Sequence, residues 1–288
     1  MNRKKLLPYF LLLPAFIYYI LIWFSPVTKS IFGSFTDGSG DFTLKYYKEV
    51  LGSEIFRTAL INTTLFTVFS VTIQFVLALG LAVFLNRKFK GSNILLFFAL
   101  IPMAIPPAAV VMLWQTGFRT HGWVNSILYN LNIIQEPISW FAMEGYQALA
   151  FLVLIDTWTV LPSVMIILLA GLQNFNNEYK EAAHVFGASR WRAFKDIVIP
   201  ILKPTIVTAI ILRMIASIQV WLIAVMLFGY GRMPFLVERV AYYVEELKTS
   251  ESSYSIALTY SVIVTTIVMI ASIIYLKLSN RRKEVPNE

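Results

Sequence analysis

Cysteine is absent from this 288-residue chain, which excludes disulfides, thiolate metal sites and a cysteine nucleophile. Only two histidines occur, His121 and His184, so a histidine-rich metal site is not expected. The sequence contains no GxxxxGK(S/T) phosphate-binding loop. Any ATP-driven role therefore requires a partner that binds and hydrolyses the nucleotide. These absences predict a chain that is not itself an enzyme and that binds no metal or cofactor.

Hydrophobic residues are more abundant in this chain than in soluble domains. They make up 58% of the sequence, with a mean hydropathy of +0.69, whereas about half is usual in soluble domains. Lysine and arginine exceed aspartate and glutamate by 24 to 16. In a membrane protein such an excess usually lies in cytoplasmic loops, so no nucleic-acid partner is expected.

Six apolar runs are long enough to cross a bilayer, which takes about 20 residues. The first lacks a small-residue cleavage site and is expected to be a retained anchor. The third contains three prolines, at 102, 106 and 107, and should be kinked or broken there. The sequence thus predicts an all-α, polytopic fold in a single domain, residues 1–288, with spans at about 6–24, 60–85, 94–113, 148–172, 206–228 and 256–278.

The distribution of basic residues predicts the orientation of these spans. Fifteen lysines and arginines fall in the two termini and the loops after the second and fourth spans, against eight in the remaining loops. Because basic residues favour the cytoplasmic side, both termini and the loop 177–204 are expected to be cytoplasmic.

The loop 177–204 is the one long polar stretch with a dense pattern. Its first part favours a helix up to Phe186, because nothing before Gly187 breaks one. Ser189 is placed to cap a second helix, and Pro200 and Pro204 are expected to end it. The loop fits the pattern E-A-A-x3-G-x9-I-x-(L/I)-P at Glu181, Ala182, Ala183, Gly187, Ile197, Ile199 and Pro200.

This pattern resembles the EAA loop of permease subunits of binding-protein-dependent ATP-binding-cassette (ABC) importers. The maltose and multiple-sugar branch is also matched outside this pattern, at Asn62-Thr63-Thr64, Ala170-Gly171-Leu172-Gln173, Gly122-Trp123-Val124-Asn125, Lys203-Pro204 and Leu212-Arg213. The short first outer loop is similar to that of the first of the two permease chains that such importers pair. The resemblance covers nearly the whole chain and implies the MetI-like permease fold.

The resemblance also implies function and partners. Residues 181–183, Gly187, Arg190, Ile197 and Pro200 would couple the chain to an ATPase subunit. The expected partners are a second permease chain, two ATPase subunits that hold the ATP and Mg²⁺, an extracytoplasmic solute-binding protein, the sugar or oligosaccharide cargo and membrane lipid. The expected location is a bacterial or archaeal inner membrane.

Simpler interpretations of the loop stay open. It could be an ordinary amphipathic segment on the lipid surface. Glu181 could be a solvated helix charge, and Gly187 a helix cap without a role in transmission.

Two ionisable residues, Asp156 and Arg213, fall within predicted spans. A charge at that depth costs at least about 2.5 kcal/mol, so it should face a cavity or a partner. The pair could line the cargo path or form a structural ion pair.

Sugars bind to aromatic faces and polar side chains, which adds the candidates Trp114, Gln115, Trp158, Gln219 and Trp221. Each tryptophan could equally belong to an interfacial belt or to helix packing.

Three other functions stay open. The same machine could import glycerol 3-phosphate, since Arg119 and Arg213 would suit a phosphate. An ion-coupled secondary transporter could use Asp156 and Arg213 as a relay. A membrane scaffold could use the loop only to dock a partner.

Overall fold

The computed structural model describes residues 3–37, 39–176, 178–246 and 251–280. This part of the chain is almost entirely helical, and its β pairing is limited to one bridge between Thr36 and Phe42. The first helices are α1 (Arg3–Tyr18), α2 (Ser25–Gly33), α3 (Lys45–Gly52), α4 (Glu54–Leu85), α5 (Ser92–Ala104), α6 (Pro107–Phe118) and α7 (Trp123–Asn130). They are followed by α8 (Gly145–Gln173), α9 (Glu178–Val185), α10 (Arg190–Ala193), α11 (Ile199–Ile218), α12 (Leu222–Phe228), α13 (Leu236–Ala241) and α14 (Glu251–Asn280).

Five helical stretches in the described residues are long and apolar enough to cross a membrane, or six if one bent pair counts as a span. The five are Leu11–Gly33, Glu54–Leu85, Gly145–Gln173, Arg190–Ile218 and Ser252–Ser279. The all-α, multi-span fold predicted from hydropathy is therefore confirmed.

The bent pair lies at the prolines of the third apolar run. α5 and the helical stretch Pro107–Asn130 meet at 100°. Pro106 cannot continue a helix because it lacks a backbone N–H, whereas Pro107 fits the first turn of α6, where that N–H has no partner. The chain therefore changes direction at the prolines where the sequence predicts a kink or break.

The segment around Pro200 and Pro204 differs from the expectation. These prolines do not end the helix: residues Arg190–Ile218 form one helical stretch. A π-helical turn at Phe194–Val198 joins α10 to α11, and Pro200 falls in the first turn of α11. The wider turn changes the hydrogen-bond partners along the backbone, so the helical stretch continues through Pro200, and Pro204 lies inside α11 without ending it.

The predicted span 206–228 is not one continuous helix. α11 ends at Ile218, and the next three residues, Gln219 to Trp221, lead into the short helix α12. No proline or glycine lies at this break. Val220 is buried there beside the core, so tertiary packing accounts for the interruption.

The bundle has two ends. The near end carries the loop 86–91 together with α9 and α10, and the far end carries α3, α7 and α13. One core cluster fills the half towards the near end, where Ala82, Leu168 and Leu202 are almost fully buried. A second fills the half towards the far end around Leu152 and Phe235. α4 and α8 pass through both halves, and α11 packs against both of them in the near half, so these three helices form the centre of the bundle.

Candidate functional site

Residues 178–198 form an elbow at the near end, made of α9, α10 and the π turn. α9 ends just before Gly187, whose φ of +77° is a left-handed conformation that glycine adopts without steric cost. The N–H of Ala188 donates to the carbonyl of Ala183 at 2.9 Å and closes the end of the helix. The Ser189 hydroxyl caps α10 by accepting a backbone N–H at 3.3 Å. Local bonds therefore set the angle of the elbow.

The elbow exposes its largest apolar side chains. Val185, Phe186 and Trp191 are 84%, 90% and 71% exposed. Ala183 and Ala193 are buried. Exposed apolar groups gathered on one projecting element are typical of a protein interaction site.

The residues of the EAA pattern divide between this elbow and its junction with α11. Glu181, Ala182 and Arg190 are exposed on the elbow. Ile197 packs, partly buried, against the core cluster of the near half, and Pro200 is exposed in the first turn of α11. The structure thus places the predicted coupling residues along one short path, and their contact with an ATPase stays a prediction.

A buried polar cluster joins the three central helices at mid-height. Arg213 of α11 forms an ion pair with Asp156 of α8. Gln74 of α4 donates to the Asp156 carboxylate at 2.7 Å and accepts from the Arg213 guanidinium. All three side chains are at least nine-tenths buried. Of the two alternatives for Asp156 and Arg213, the structure shows the mutual ion pair.

Gln74 is a site residue that the sequence analysis missed. Its only sequence signal is an amide in the middle of an apolar run, which barely lowers the hydropathy of the span. In the bundle it satisfies hydrogen-bonding groups of both partners of the ion pair, as buried charges require.

The candidate aromatic residues are brought together only in part. The rings of Trp114 and Trp158 meet edge to face with centroids 5.7 Å apart. Gln115 beside them donates to the carbonyl of Met226 in α12 at 3.1 Å. The indole N–H of Trp114 is buried and has no hydrogen-bond partner among the described residues. The other candidates, Gln219 and Trp221, lie at the break between α11 and α12, with Gln219 exposed.

A single amide organises the far-end loop that follows α6. Asn125 donates to the carbonyls of Thr120 and Ile138 at 2.9 and 2.7 Å. Its side-chain oxygen accepts from the indole N–H of Trp140 at 2.9 Å. Gly122 is required nearby, because a Cβ there would lie 2.3 Å from the Gly117 carbonyl oxygen. The sequence motif around Asn125 therefore has a structural role.

Beside this loop lies a cavity of about 780 Å³, open at the far end. Aromatic and basic side chains share its wall, which also includes the backbone of the loop. The lining side chains include Phe118, Arg119, His121, Trp140, Phe141 and Arg232.

Residues 74–284 match the family described as binding-protein-dependent transport system inner membrane component. The chain is similar to the trehalose/maltose transport system permease protein MalF of Thermococcus litoralis, with 31% identity over 84% of this chain and 80% of that protein. It is also similar to the sulfoquinovosyl glycerol transport system permease protein SmoG of Agrobacterium fabrum, with 34% identity over 79% of this chain and 75% of that protein.

Among solved structures, one chain of a bacterial alginate ABC transporter has a similar fold. That transporter was crystallised in complex with an alginate pentasaccharide-bound periplasmic protein. The TM-score is 0.85 at 19% identity, over 98% of this chain and 96% of that chain.

Proposed function

The chain belongs to the family of binding-protein-dependent transport system inner membrane components, and we propose that it is the permease subunit through which an ATP-driven importer moves a sugar or oligosaccharide. In this proposal the chain is a multi-pass subunit that changes no covalent bond of its cargo. ATP hydrolysis falls to partner ATPase subunits, because the sequence has no phosphate-binding loop.

The observation that carries the proposal is the helical stretch Arg190–Ile218, which begins in the exposed elbow and continues to mid-height in the bundle. At 1.5 Å per residue, Arg190 and Arg213 are roughly 35 Å apart along this helix. The stretch ends at the break before α12, where Gln219 and Trp221 lie. A displacement applied to the elbow would therefore reach the candidate cargo path.

Alternating access follows from this connection. When the ATPase subunits close on ATP, they move the elbow, and α11 carries that motion to α4 and α8 through the ion pair and the near-half core. The bundle then opens at the far end and accepts the cargo. Hydrolysis returns the elbow and opens the near end, so that the cargo leaves there.

The near end is assigned to the cytoplasm in this proposal. The elbow lies there, and fifteen of the basic residues fall in the termini and in the loops at this end. The far end then faces the solute-binding protein, which has to deliver the cargo because the far-end loops are too short to form a binding domain of their own. A second permease chain completes the path opposite this one.

The proposed cargo contacts are the groups that the structure leaves available. Asp156 and Arg213 already satisfy each other, so they act as a structural link between the moving helices rather than as cargo ligands. Trp114 has a buried indole N–H without a hydrogen-bond partner among the described residues, which the transport motion would uncover, and Gln219 offers an exposed amide at the break. Aromatic faces with a few hydrogen-bonding groups suit the apolar faces and hydroxyls of a sugar.

The test is a co-purification combined with uptake. The tagged chain is expressed in its native host and purified from detergent as wild type and as the double variant Glu181→Lys, Gly187→Pro. We expect an ATPase subunit to accompany the wild type and to be lost from the variant, together with ATP-dependent uptake of the cargo. Sugars and glycerol 3-phosphate are then screened against the solute-binding protein that accompanies the wild type.

A matched control is Asn132→Pro, which changes a left-handed residue far from the elbow. It should keep the ATPase. If no ATPase accompanies the wild type, or if uptake persists after ATP is depleted, the importer proposal is wrong and ion-coupled transport is favoured.

A further inference from the structure

Two adjacent cavities at the near end are not explained by the transport cycle. Their volumes are about 440 and 430 Å³, and they share Lys88 and Gln173 in their walls. The first extends beneath the elbow to Phe194, and the second opens between the start of α5 and the end of α8, at Ile94 and Leu169. Together these walls are called the basic cleft below.

The charge of the basic cleft is of one sign. Arg87 and Lys88 line it, and none of the described residues in its walls is acidic. Neither of these two residues forms an ion pair with a described residue. The other polar groups in the walls are neutral side chains that can donate hydrogen bonds, at Asn86, Ser92, Asn93 and Gln173. Such a set is suited to an anion with several acceptor oxygens.

An apolar surface begins directly beside the basic cleft. On α5, Ile94, Phe97 and Phe98 are 65%, 66% and 60% exposed. α5 is part of the bent pair counted as a membrane span, so this surface extends from the cleft into the membrane. A ligand that reaches both regions therefore has a charged head and a hydrocarbon tail.

Lys88 holds an unusual backbone conformation at the centre of the basic cleft. Its φ is +50°, a left-handed value that a residue with a Cβ rarely adopts and that glycine adopts freely. A glycine would adopt this conformation with less strain, yet a lysine stands here. Strained residues of this kind cluster at functional sites.

We propose that the basic cleft binds the phosphate head group of an anionic phospholipid, whose acyl chains lie along the exposed face of α5. Basic pockets between membrane helices at the interface recognise lipid head groups in this way. The bound phosphate contacts Arg87 and Lys88, and the neutral donors complete its coordination. The proposal does not depend on the identity of the cargo or on which leaflet the near end occupies.

A lipid at this position also contacts the moving parts. The first cavity is walled by Phe194 and Val198 of the elbow junction and by the ends of α4 and α8. An anionic lipid in the basic cleft would stabilise the elbow against the bundle in the arrangement seen here. Lipid composition would then regulate the coupling of the elbow.

The variant Lys88→Gly tests the proposal without threatening the fold, because glycine accepts the left-handed conformation. The purified full-length chain is titrated in neutral-detergent micelles with dioleoyl phosphatidylglycerol, dioleoyl phosphatidylcholine or soluble glycerol 3-phosphate, and the midpoint of thermal unfolding is followed. We expect phosphatidylglycerol alone to raise the midpoint of the wild type. Its apparent affinity should fall about fivefold in Lys88→Gly, as expected for one basic residue near an anionic lipid.

Two variants provide matched controls. Lys90→Gln removes a charge from the same loop, but Lys90 lines neither cavity. Asn132→Gly relaxes the other left-handed residue of this kind, with φ of +54°, at the far end. Both should bind phosphatidylglycerol as the wild type does.

Four results would overturn the proposal. Lys88→Gly could keep the wild-type affinity for phosphatidylglycerol. Lys90→Gln could lose as much affinity as Lys88→Gly, which would indicate that the lipid is attracted by the overall surface charge and not by the basic cleft. Soluble glycerol 3-phosphate could protect the wild type as well as the lipid does, which would make the ligand a free phosphate. Lys88→Gly could lose the ATPase while keeping the lipid response, which would assign the cleft to a protein contact.

Discussion

At the scale of single residues, the cluster of Gln74, Asp156 and Arg213 links the central helices. Replacing Arg213 by Leu leaves the Asp156 carboxylate buried without its counter-charge. Removal of one partner of a buried ion pair typically costs about 3–5 kcal/mol. We therefore expect Arg213→Leu to lower the thermal unfolding midpoint markedly, and the double variant Arg213→Leu, Asp156→Leu to recover most of the loss. The measurement is thermal unfolding of the purified chain in detergent.

The control is the exposed pair Arg192–Asp196, 3.6 Å apart at the elbow. An exposed pair of this kind contributes about 0–1 kcal/mol, so Arg192→Leu should change the midpoint little. The ion pair does not stabilise the bundle as described if Arg213→Leu lowers the unfolding midpoint no more than Arg192→Leu does. The same holds if the double variant Arg213→Leu, Asp156→Leu has a lower midpoint than Arg213→Leu alone.

The sequence identifies some of these residues and not others, for a physical reason. Asp156 and Arg213 are conspicuous because a charge in an apolar run is costly and needs a partner. Gln74 is not, since an uncharged amide costs much less to bury than a charge does and so does not by itself demand a partner. Its importance lies in which groups the fold brings within hydrogen-bond distance, and no spacing in the sequence reveals that.

At the scale of elements, the helical stretch from the elbow to mid-height is proposed to transmit motion. Thr208 and Leu212 are exposed on it, between the elbow and Arg213. Replacing both with glycine loosens the helix by about 1 kcal/mol per residue relative to alanine. We expect the Gly–Gly variant to keep the ATPase but to transport more slowly than the Ala–Ala variant. The measurements are co-purification, ATP hydrolysis and uptake of the same cargo.

The alanine pair controls for the lost side chains, so only helix stiffness differs between the two variants. Equal uptake by both would show that α11 need not be stiff and that coupling takes another route. Loss of the ATPase from the Gly–Gly variant would instead indicate that the elbow itself had been disturbed.

The positions where helices bend, begin or break could be predicted where a residue's own chemistry determines them. They could not be predicted where tertiary packing determines them. Gly187 and the prolines near 106 act through their own backbone, and Ser189 acts through its hydroxyl on the next turn. The structure has the bend, the cap and the break at those positions. The prediction that Pro200 ends a helix was wrong, because a π turn shifts the bonding pattern before it. The break at Gln219–Trp221 has no local cause and follows from burial of Val220 against the core.

At the scale of the whole molecule, hydropathy predicts a multi-span helical fold, since a bilayer demands long apolar helices, and the described residues have five such stretches, or six if the bent pair counts as one. It does not predict which helices lie at the centre. The central position of α4, α8 and α11 depends on side-chain packing in the two core clusters. None of the residues from Leu11 to Gly33, in the first apolar stretch, is buried. This exposure likewise could not be predicted from the composition of the stretch.

The orientation of the molecule can be tested directly because the chain contains no cysteine. Single cysteines are placed at exposed positions of both ends: Ser189→Cys in the elbow and Asn132→Cys beyond α7. If the near end is cytoplasmic, a membrane-impermeant maleimide added to spheroplasts should label Asn132→Cys but not Ser189→Cys. After the membrane is permeabilised, both should react, which controls for local accessibility. The reverse pattern would place the elbow outside, away from any cytoplasmic ATPase, and would remove the basis for ATP-driven import through this chain.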